Sequence, residues 1–255
     1  MTDTIRSERN GAIVTLKIDR QDKKNALTTE MYSALTAQIQ AAVADSSVRV
    51  LLLSGEGPDF SSGNDLVDFI ANPPKDESAP VFQFINAVRT CPKPVVAAVE
   101  GLAVGIGTTI LLHCDLVYAA SNARFKMPFV DLGVTPEAGS SWILPKNFGY
   151  QRAAELMLLC PIFDADTASK AGFVTRVVEP GKALEAATQA ATQVASKPPA
   201  ALRAAKELMK RDGDTLAERL KAEADVFAQG LQGEEFKEAV DAFKNKRKPD
   251  FSRFS

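Results

Sequence analysis

Two glycine-bearing turns and one carboxylate hold the residue types in this chain that could do chemistry. The first turn is Phe60-Ser61-Ser62-Gly63-Asn64-Asp65-Leu66, in which small residues lead out of a strand and into a short helix. A helix start reached through Gly and Ser leaves N–H groups without intrahelical partners, and the helix dipole there favours negative charge. The second turn is Glu100-Gly101-Leu102-Ala103-Val104-Gly105-Ile106-Gly107, which carries the buried strand 94–99 into another helix start. Two such turns, each aiming one amide at the same point, would suit an acyl carbonyl that becomes an oxyanion. One donor of this kind contributes roughly 3 kcal/mol to a transition state. Ordinary capped loops are the alternative, and periodicity alone does not make the turns converge.

The second turn is superficially like a dinucleotide fingerprint. Gly105-Ile106-Gly107 is followed by Thr108, Thr109 and Ile110 instead of a third glycine, and no acidic residue closes the next strand. Nicotinamide binding is therefore not expected. The carboxylate is Glu137, between Pro136 and Ala138-Gly139. It could project from a helix start into a pocket, or stand exposed in a first turn where it favours the helix dipole. His113 is the single histidine and lies in the apolar run Ile110-Leu111-Leu112-His113-Cys114, which favours a packing role. Unless it is itself a base, Ser-His-Asp and Cys-His machinery are excluded, as are His-rich metal sites.

The elements that must position these residues follow from patterning. In 255 residues, 45% are hydrophobic and 24% charged, enough for one large domain or for one domain plus a small appendage. Residues 5–19 alternate around Asn10-Gly11, a dipeptide that favours a type I′ hairpin turn. Residues 28–43 repeat apolar side chains at helical spacing behind capping threonines, and 48–53 form a continuously apolar buried strand. Further strands are expected at 94–99, 115–119 and 124–127, with a helix from Gly105. Residues 71–80 form a proline-broken polar loop that could cover a site. From residue 181 onward the pattern is helical, at about 181–196, 200–211, 214–229 and 233–246. The reading is an α/β core over 1–196 and a helical region over 197–255, which either closes the core or makes oligomer contacts.

Charge, cysteines and hydropathy narrow the partners. A formal net charge of −2 gives no global field for nucleic acid, so phosphate recognition has to be local. Cys91, Cys114 and Cys160 are far apart and show neither zinc nor disulfide spacing. The longest apolar stretch, 94–112, is interrupted by Glu100 and three glycines, so no membrane span is expected. The polar first ten residues and the Phe-Ser-Arg-Phe-Ser end suggest neither a signal peptide nor a peroxisomal address, which leaves a cytoplasmic location as the expectation.

The combination FSSGNDL, PKPVVAAVEGLAVGIG and HCDLVYAASNARFKMPFVDLGVTPEAGSS, continued by AGFVTRVVEP and AFKNKRKPDF, resembles the crotonase (enoyl-CoA hydratase/isomerase) superfamily over nearly the whole chain. The resemblance implies a spiral of ββα units and a helical C-terminal region that builds trimers or dimers of trimers. It also implies binding of an acyl-CoA thioester with no separate cofactor or metal, coenzyme A being part of the substrate. By motif position the oxyanion hole would be the N–H groups of Asn64 and Ile106, with Gly105 shaping the second turn. Lys24 and Ala26 would lie along the adenine and ribose, and Ser61, Ser62, Gly63, Asn64, Asp65 and Leu66 along the pantetheine and thioester. Phe243 and Lys246 would help bind the nucleotide, from this subunit or a neighbour. A solvated basic face is the alternative for Lys244, Lys246, Arg247 and Lys248. Phe84, Ile85 and Trp142 are candidates for the acyl pocket.

Hydratases of this superfamily carry two glutamates that manage water, and their places are taken here by Thr109 and Phe129. Neither can act as a general acid or base. The TPEAGSS segment with FSSGNDL resembles peroxisomal-type Δ3,Δ2-enoyl-CoA isomerases, whose catalytic glutamate stands at the position of Glu137. That resemblance implies a double-bond shift performed by one base. Another crotonase reaction such as hydration, and binding of acyl-CoA without turnover, are the two alternatives.

Overall fold

A computed structural model describes residues 4–254. Residues 1–3 and 255, the outer ends of the two expected regions, lie outside it. The chain opens with an antiparallel hairpin of β1 (Ile5–Asn10) and β2 (Ile13–Ile18), in which Asn10 pairs with Ile13. The turn is therefore Gly11-Ala12 and not Asn10-Gly11. Of these two only Gly11 has positive φ, +57°, which fits type II′ and corrects the type I′ expectation. β1 exposes five consecutive side chains as a charged edge, while β2 buries its apolar positions.

Behind the hairpin the sheet becomes parallel. Its order is β1-β2-β3-β4-β6-β9, with β3 (Val50–Gly55), β4 (Val95–Val99), β6 (Leu116–Ala120) and β9 (Arg176–Val178). β3 and β4 read as unbroken apolar runs because both of their faces are covered. On one face pack α1 (Thr29–Ala44) and α3 (Pro80–Arg89), which bury Met31, Tyr32, Leu35, Phe84, Ile85 and Val88 in the main core. Thr28 caps α1 by accepting from Met31 N. On the other face lies α8 (Ala183–Ala195), whose Ala183, Ala187, Ala190 and Ala191 allow close approach to Val50, Leu52, Val96 and Ala98. A second sheet has the order β5 (Leu102–Val104), β7 (Arg124–Lys126), β8 (Phe163–Asp164).

Four helices were not placed by the sequence pattern. They are α3, α5 (Ser140–Phe148) with Pro145 inside it, α6 (Tyr150–Leu158) and α7 (Ala165–Lys170). The expected boundary near Ser196 falls at the C-cap of α8, yet α9 (Pro199–Lys210) stays on the core. There the buried Lys206 ammonium donates to Asp115 Oδ2 at 2.6 Å and to Lys93 O at 2.7 Å. α10 (Leu216–Gln232) buries no residue and leaves Leu216, Leu220, Phe227 and Leu231 exposed; α11 (Glu234–Lys244) packs chiefly against it. The tail then returns to the core, where Phe251 is buried and Arg49 donates to Phe254 O at 2.5 Å. Among the described residues no helix is long and apolar enough to cross a membrane.

Candidate active site

The two glycine turns are joined by main-chain pairing. Ser61 bridges Ala103 in parallel, with Ser61 N donating to Leu102 O and Val104 N to Ser61 O, each at 2.9 Å. Gly63 and Gly107, which flank Asn64 and Ile106, lie against the other turn's backbone. The approach requires glycine at two places. A Cβ on Gly63, which has φ +92°, would lie 2.6 Å from Val104 O, and one on Gly107 would lie 2.7 Å from Ser61 O. Gly105 turns the chain with φ 55° and ψ −122°, so that α4 (Ile106–Thr109) begins immediately after it. Ile106 N–H is a first-turn amide without an intrahelical acceptor. Among the described residues neither it nor Asn64 N–H donates to a protein group.

A third segment holds the first turn from behind. Asn25 is fully buried with φ 57°; its side chain donates to Glu56 O and Asp59 O, and its carbonyl accepts from Ser61 Oγ at 2.8 Å. Ser62 N donates to Lys24 O, Leu27 N to Gly63 O and Asp65 N to Leu27 O. Exposed Lys24 and buried Ala26 are thereby brought against the 61–66 turn. Asn25 was missed in the sequence, although a buried asparagine that accepts left-handed geometry is the residue such a bend selects. Asp65 departs from the expectation of an open helix start. Its carboxylate caps α2 (Leu66–Ala71) at Val67 N and Asp68 N and pairs with Arg20 at 2.7 Å. The α2 terminus is thus closed at Val67 and Asp68 by the protein's own anion, Leu66 is exposed, and Asn64 N–H is left without a protein acceptor.

Glu137 does not lie in a helix. It precedes α5, separated from Ser140 by Ala138 and Gly139, both with positive φ (53° and 67°). Ser140 N and Oγ both bond the Glu137 carbonyl, at 3.0 and 2.6 Å, and His113 Nε2 donates to Ala138 O at 2.7 Å. The carboxylate faces inward, where Thr109 Oγ1 donates to Glu137 Oε1 at 2.5 Å. Burial raises the Glu137 pKa to about 7 against the opposing effect of the Thr109 bond. Thr109 follows Ile106 by one turn of α4, so the carboxylate sits within a helical turn of the Ile106 amide. On the opposite side, buried Tyr32 donates to Asn64 Oδ1, and the charge of Glu137 contributes to its raised pKa. Glu137 is thus tied through Thr109 to the helix that Ile106 opens, and its charge reaches Tyr32, the partner of Asn64.

The remaining candidates are scattered. Phe129 is buried in the main core, and Phe84 and Ile85 are buried on α3, with Phe84 packed on Tyr32 at 5.7 Å between ring centroids. Trp142 is 62% exposed with Lys146 Nζ 3.9 Å from its ring centre, so within this chain it is a surface residue and not a pocket wall. Phe243 and Lys246 lie exposed at the end of α11. Arg247 is not a free basic residue, since it pairs with Glu238 and Asp241 at 2.6 Å each. Residues 71–75, Ala79 and Pro80 edge a pocket of about 440 Å³ together with Leu27, Tyr32, Asp68 and Val81. His113 is buried and its pKa lowered, chiefly by burial, so it is held as a neutral donor. Burial pushes the Cys114 thiol up to about 12 and removes it as a nucleophile.

This architecture has known counterparts. The description Enoyl-CoA hydratase/isomerase matches residues 8–253. A solved Magnetospirillum magneticum AMB-1 protein, provisionally described as an enoyl-CoA hydratase/carnithine racemase, superposes with a TM-score of 0.97 at 46% identity, covering 99% of this chain and 100% of that one. The 1,2-epoxyphenylacetyl-CoA isomerase of Escherichia coli K12 is 33% identical over 99% of both chains. The human enoyl-CoA delta isomerase 2 is 35% identical over 78% of this chain and 52% of its own length. Several further relatives are hydratases by name. The chain belongs to the enoyl-CoA hydratase/isomerase family, has the crotonase fold, and is an acyl-CoA enzyme of that family.

Proposed function

Given that membership, we propose that the chain is a Δ3,Δ2-enoyl-CoA isomerase, which converts 3-enoyl-CoA to trans-2-enoyl-CoA. The observation that carries this reading is the solitary base: Glu137, with its pKa at about 7, is held by Thr109 where a hydratase would place a second glutamate. A general base poised near the working pH can both take a proton and give it back. In the reaction the thioester carbonyl accepts from Asn64 N–H and Ile106 N–H. Glu137 removes a C2 proton, the electron pair of that C–H bond forms C1=C2, and the carbonyl π pair moves onto oxygen to give a dienolate that keeps C3=C4. The dienolate charge rests on the carbonyl oxygen between the two amides. Glu137 then returns its proton to C4 on the same face, and no second acid is needed. On this reprotonation the oxygen pair re-forms the carbonyl, the C1=C2 pair becomes C2=C3, and the C3=C4 pair takes the proton at C4. Phe129 presents an apolar wall where water would otherwise be held.

The remaining assignments belong to the same reading. Lys24 and Ala26 run along the adenine and ribose, and residues 61–66 along the pantetheine and thioester. Phe243 and Lys246 reach a nucleotide from a neighbouring subunit in a trimer or dimer of trimers; the exposed apolar residues of α10 support that assembly. Coenzyme A enters as part of the substrate, and no further cofactor takes part.

Hydration is the second reading, favoured by the hydratase names among the relatives. Matched 3-enoyl and 2-enoyl thioesters of several lengths separate the two. Isomerisation of the 3-enoyl series without 3-hydroxyacyl-CoA is the expected result; rapid 3-hydroxyacyl-CoA formation from the 2-enoyl series would replace isomerase with hydratase.

A further inference from the structure

Tyr32 is the one polar residue on the buried face of α1, among Met31, Leu35, Ile39 and Ala42. Its ring packs on Phe84, its edge lines the pocket of about 440 Å³, and its hydroxyl donates to Asn64 Oδ1. A buried phenol needs a partner. Here the partner belongs to the residue whose main-chain amide is unpaired. We infer that Tyr32 is a positioning residue for the oxyanion, holding the Asn64 side chain so that the Asn64 N–H stays aimed at the thioester carbonyl. The inference rests on the isomerase reading and adds a residue to it.

Leu27 pairs with Asn64 through Gly63 O and Asp65 N, so the bridge engages the peptide groups on either side and leaves the Asn64 N–H on the other side of the strand. Nothing in the main chain occupies that donor, and it gains most as an oxyanion ligand if it does not have to reorient during reaction. Asparagine brings a competitor with it, because its side-chain oxygen readily bonds nearby backbone N–H groups. The Tyr32 hydroxyl occupies that oxygen. Burial, then the charges of Glu137 and Asp68, push the phenol well above its usual range, so it remains a donor at every working pH. Removing the hydroxyl frees Asn64 Oδ1 to fold onto local donors and compete with the substrate carbonyl.

The test is Tyr32→Phe, alone and combined with Asn64→Ala, which keeps the main-chain amide and deletes the side chain. With 3-enoyl-CoA, Y32F is expected to lose about tenfold in kcat, the factor carried by one hydrogen bond of transition-state stabilisation. The Kd for a saturated acyl-CoA, which develops no oxyanion, is expected to stay within about twofold, and the thermal midpoint to remain close to that of the parent. In the Asn64→Ala background the Tyr32 substitution should add little, because its route of action is gone. An unchanged kcat in Y32F, additive losses in the double variant, or parallel losses of kcat, saturated-ligand affinity and midpoint would each overturn the positioning role. A parent protein that exchanges no C2 proton would instead remove the isomerase reading, and this inference with it.

Discussion

Thr109 Oγ1 lies 2.5 Å from Glu137 Oε1 and is the side-chain donor that the carboxylate meets inside the fold. Thr109 is fully buried, and its hydroxyl also lies 3.2 Å from Gly105 O, so it is held on α4 while it faces the loop ahead of α5. The relationship is electrostatic as well as steric. Burial destabilises the carboxylate, the hydroxyl stabilises it, and the balance leaves Glu137 at about 7.

Thr109→Val keeps the shape and removes the donor, so burial acts on Glu137 unopposed. Only the ionised form is a base, and kcat/KM of the parent should therefore rise with pH to a plateau above about 7. In the variant the midpoint of that limb is expected to move upward by about one pH unit, the scale of a hydrogen bond to a charged group. A pH–rate profile that coincides with the parent's would show that Thr109 does not tune this base.

Glu137→Gln should be more stable than the parent at alkaline pH. The folded pKa of about 7 lies above the reference value of 4.5, so the folded state holds its proton more tightly than the unfolded chain does. That stability is complete below the reference value and is lost as pH rises through about 7, to a total of about 3 kcal/mol. A glutamine does not titrate and keeps an oxygen for Thr109. Urea midpoints should favour the variant at pH 8 and show little of that advantage at pH 4.5; a constant difference at both would dissociate the gain from ionisation.

His113→Leu removes the donor to Ala138 O, in a loop where Ala138 already sits at φ 53°. An unsatisfied carbonyl costs about 1–3 kcal/mol, and the loosened loop should lower kcat as well. His113→Gln retains an N–H and should recover much of both. The parent histidine, with its pKa lowered below 6.5, also contributes stability that is complete above that pH and lost as pH falls through the folded pKa. Acid titrations of unfolding midpoints should therefore be shallower in the glutamine variant.

Gly63→Ala and Gly133→Ala separate a clash from backbone strain. Both glycines have positive φ, but the Gly63 Cβ would meet Val104 O at 2.6 Å, whereas nothing lies within 4 Å at Gly133. Gly133→Ala should cost about 1 kcal/mol. Gly63→Ala must also push the two turns apart, and should lose turnover and several degrees of thermal midpoint. Equal effects would mean that the 61–66 and 103–107 turns are not packed as tightly as this.

The scaffold could be read in the residues because its strands and first helix follow simple periodicities. The Thr28 cap of α1 and the apolar run at β4 are where patterning set them, and β3 lies two residues further along than the expected 48–53. Periodicity missed α5, which carries Pro145 and an exposed Trp142, and it gave Glu137 a helix start that the Ala138-Gly139 left-handed pair displaces. The site's outer members came from family resemblance. The ties that hold it did not: Asn25, Tyr32 and His113 act through contacts 25 to 36 residues away, to Ala138, Asn64 and Ser61 among others, which no local spacing encodes. Asp65 adds a role that the motif did not announce, since its carboxylate caps its own helix.

The most direct measurement of the central claim is solvent-deuterium exchange at C2, together with double-bond migration, for a 3-enoyl-CoA and the Glu137→Gln variant, with acyl-CoA affinity measured alongside. The account predicts that the parent does both, and that the variant binds the thioester with similar affinity while losing about a thousandfold or more in each, within the 10²–10⁴ range that a positioned base supplies. Exchange and migration at parental rates in the variant would contradict it, because the Glu137 carboxylate would then not be the group that moves the proton.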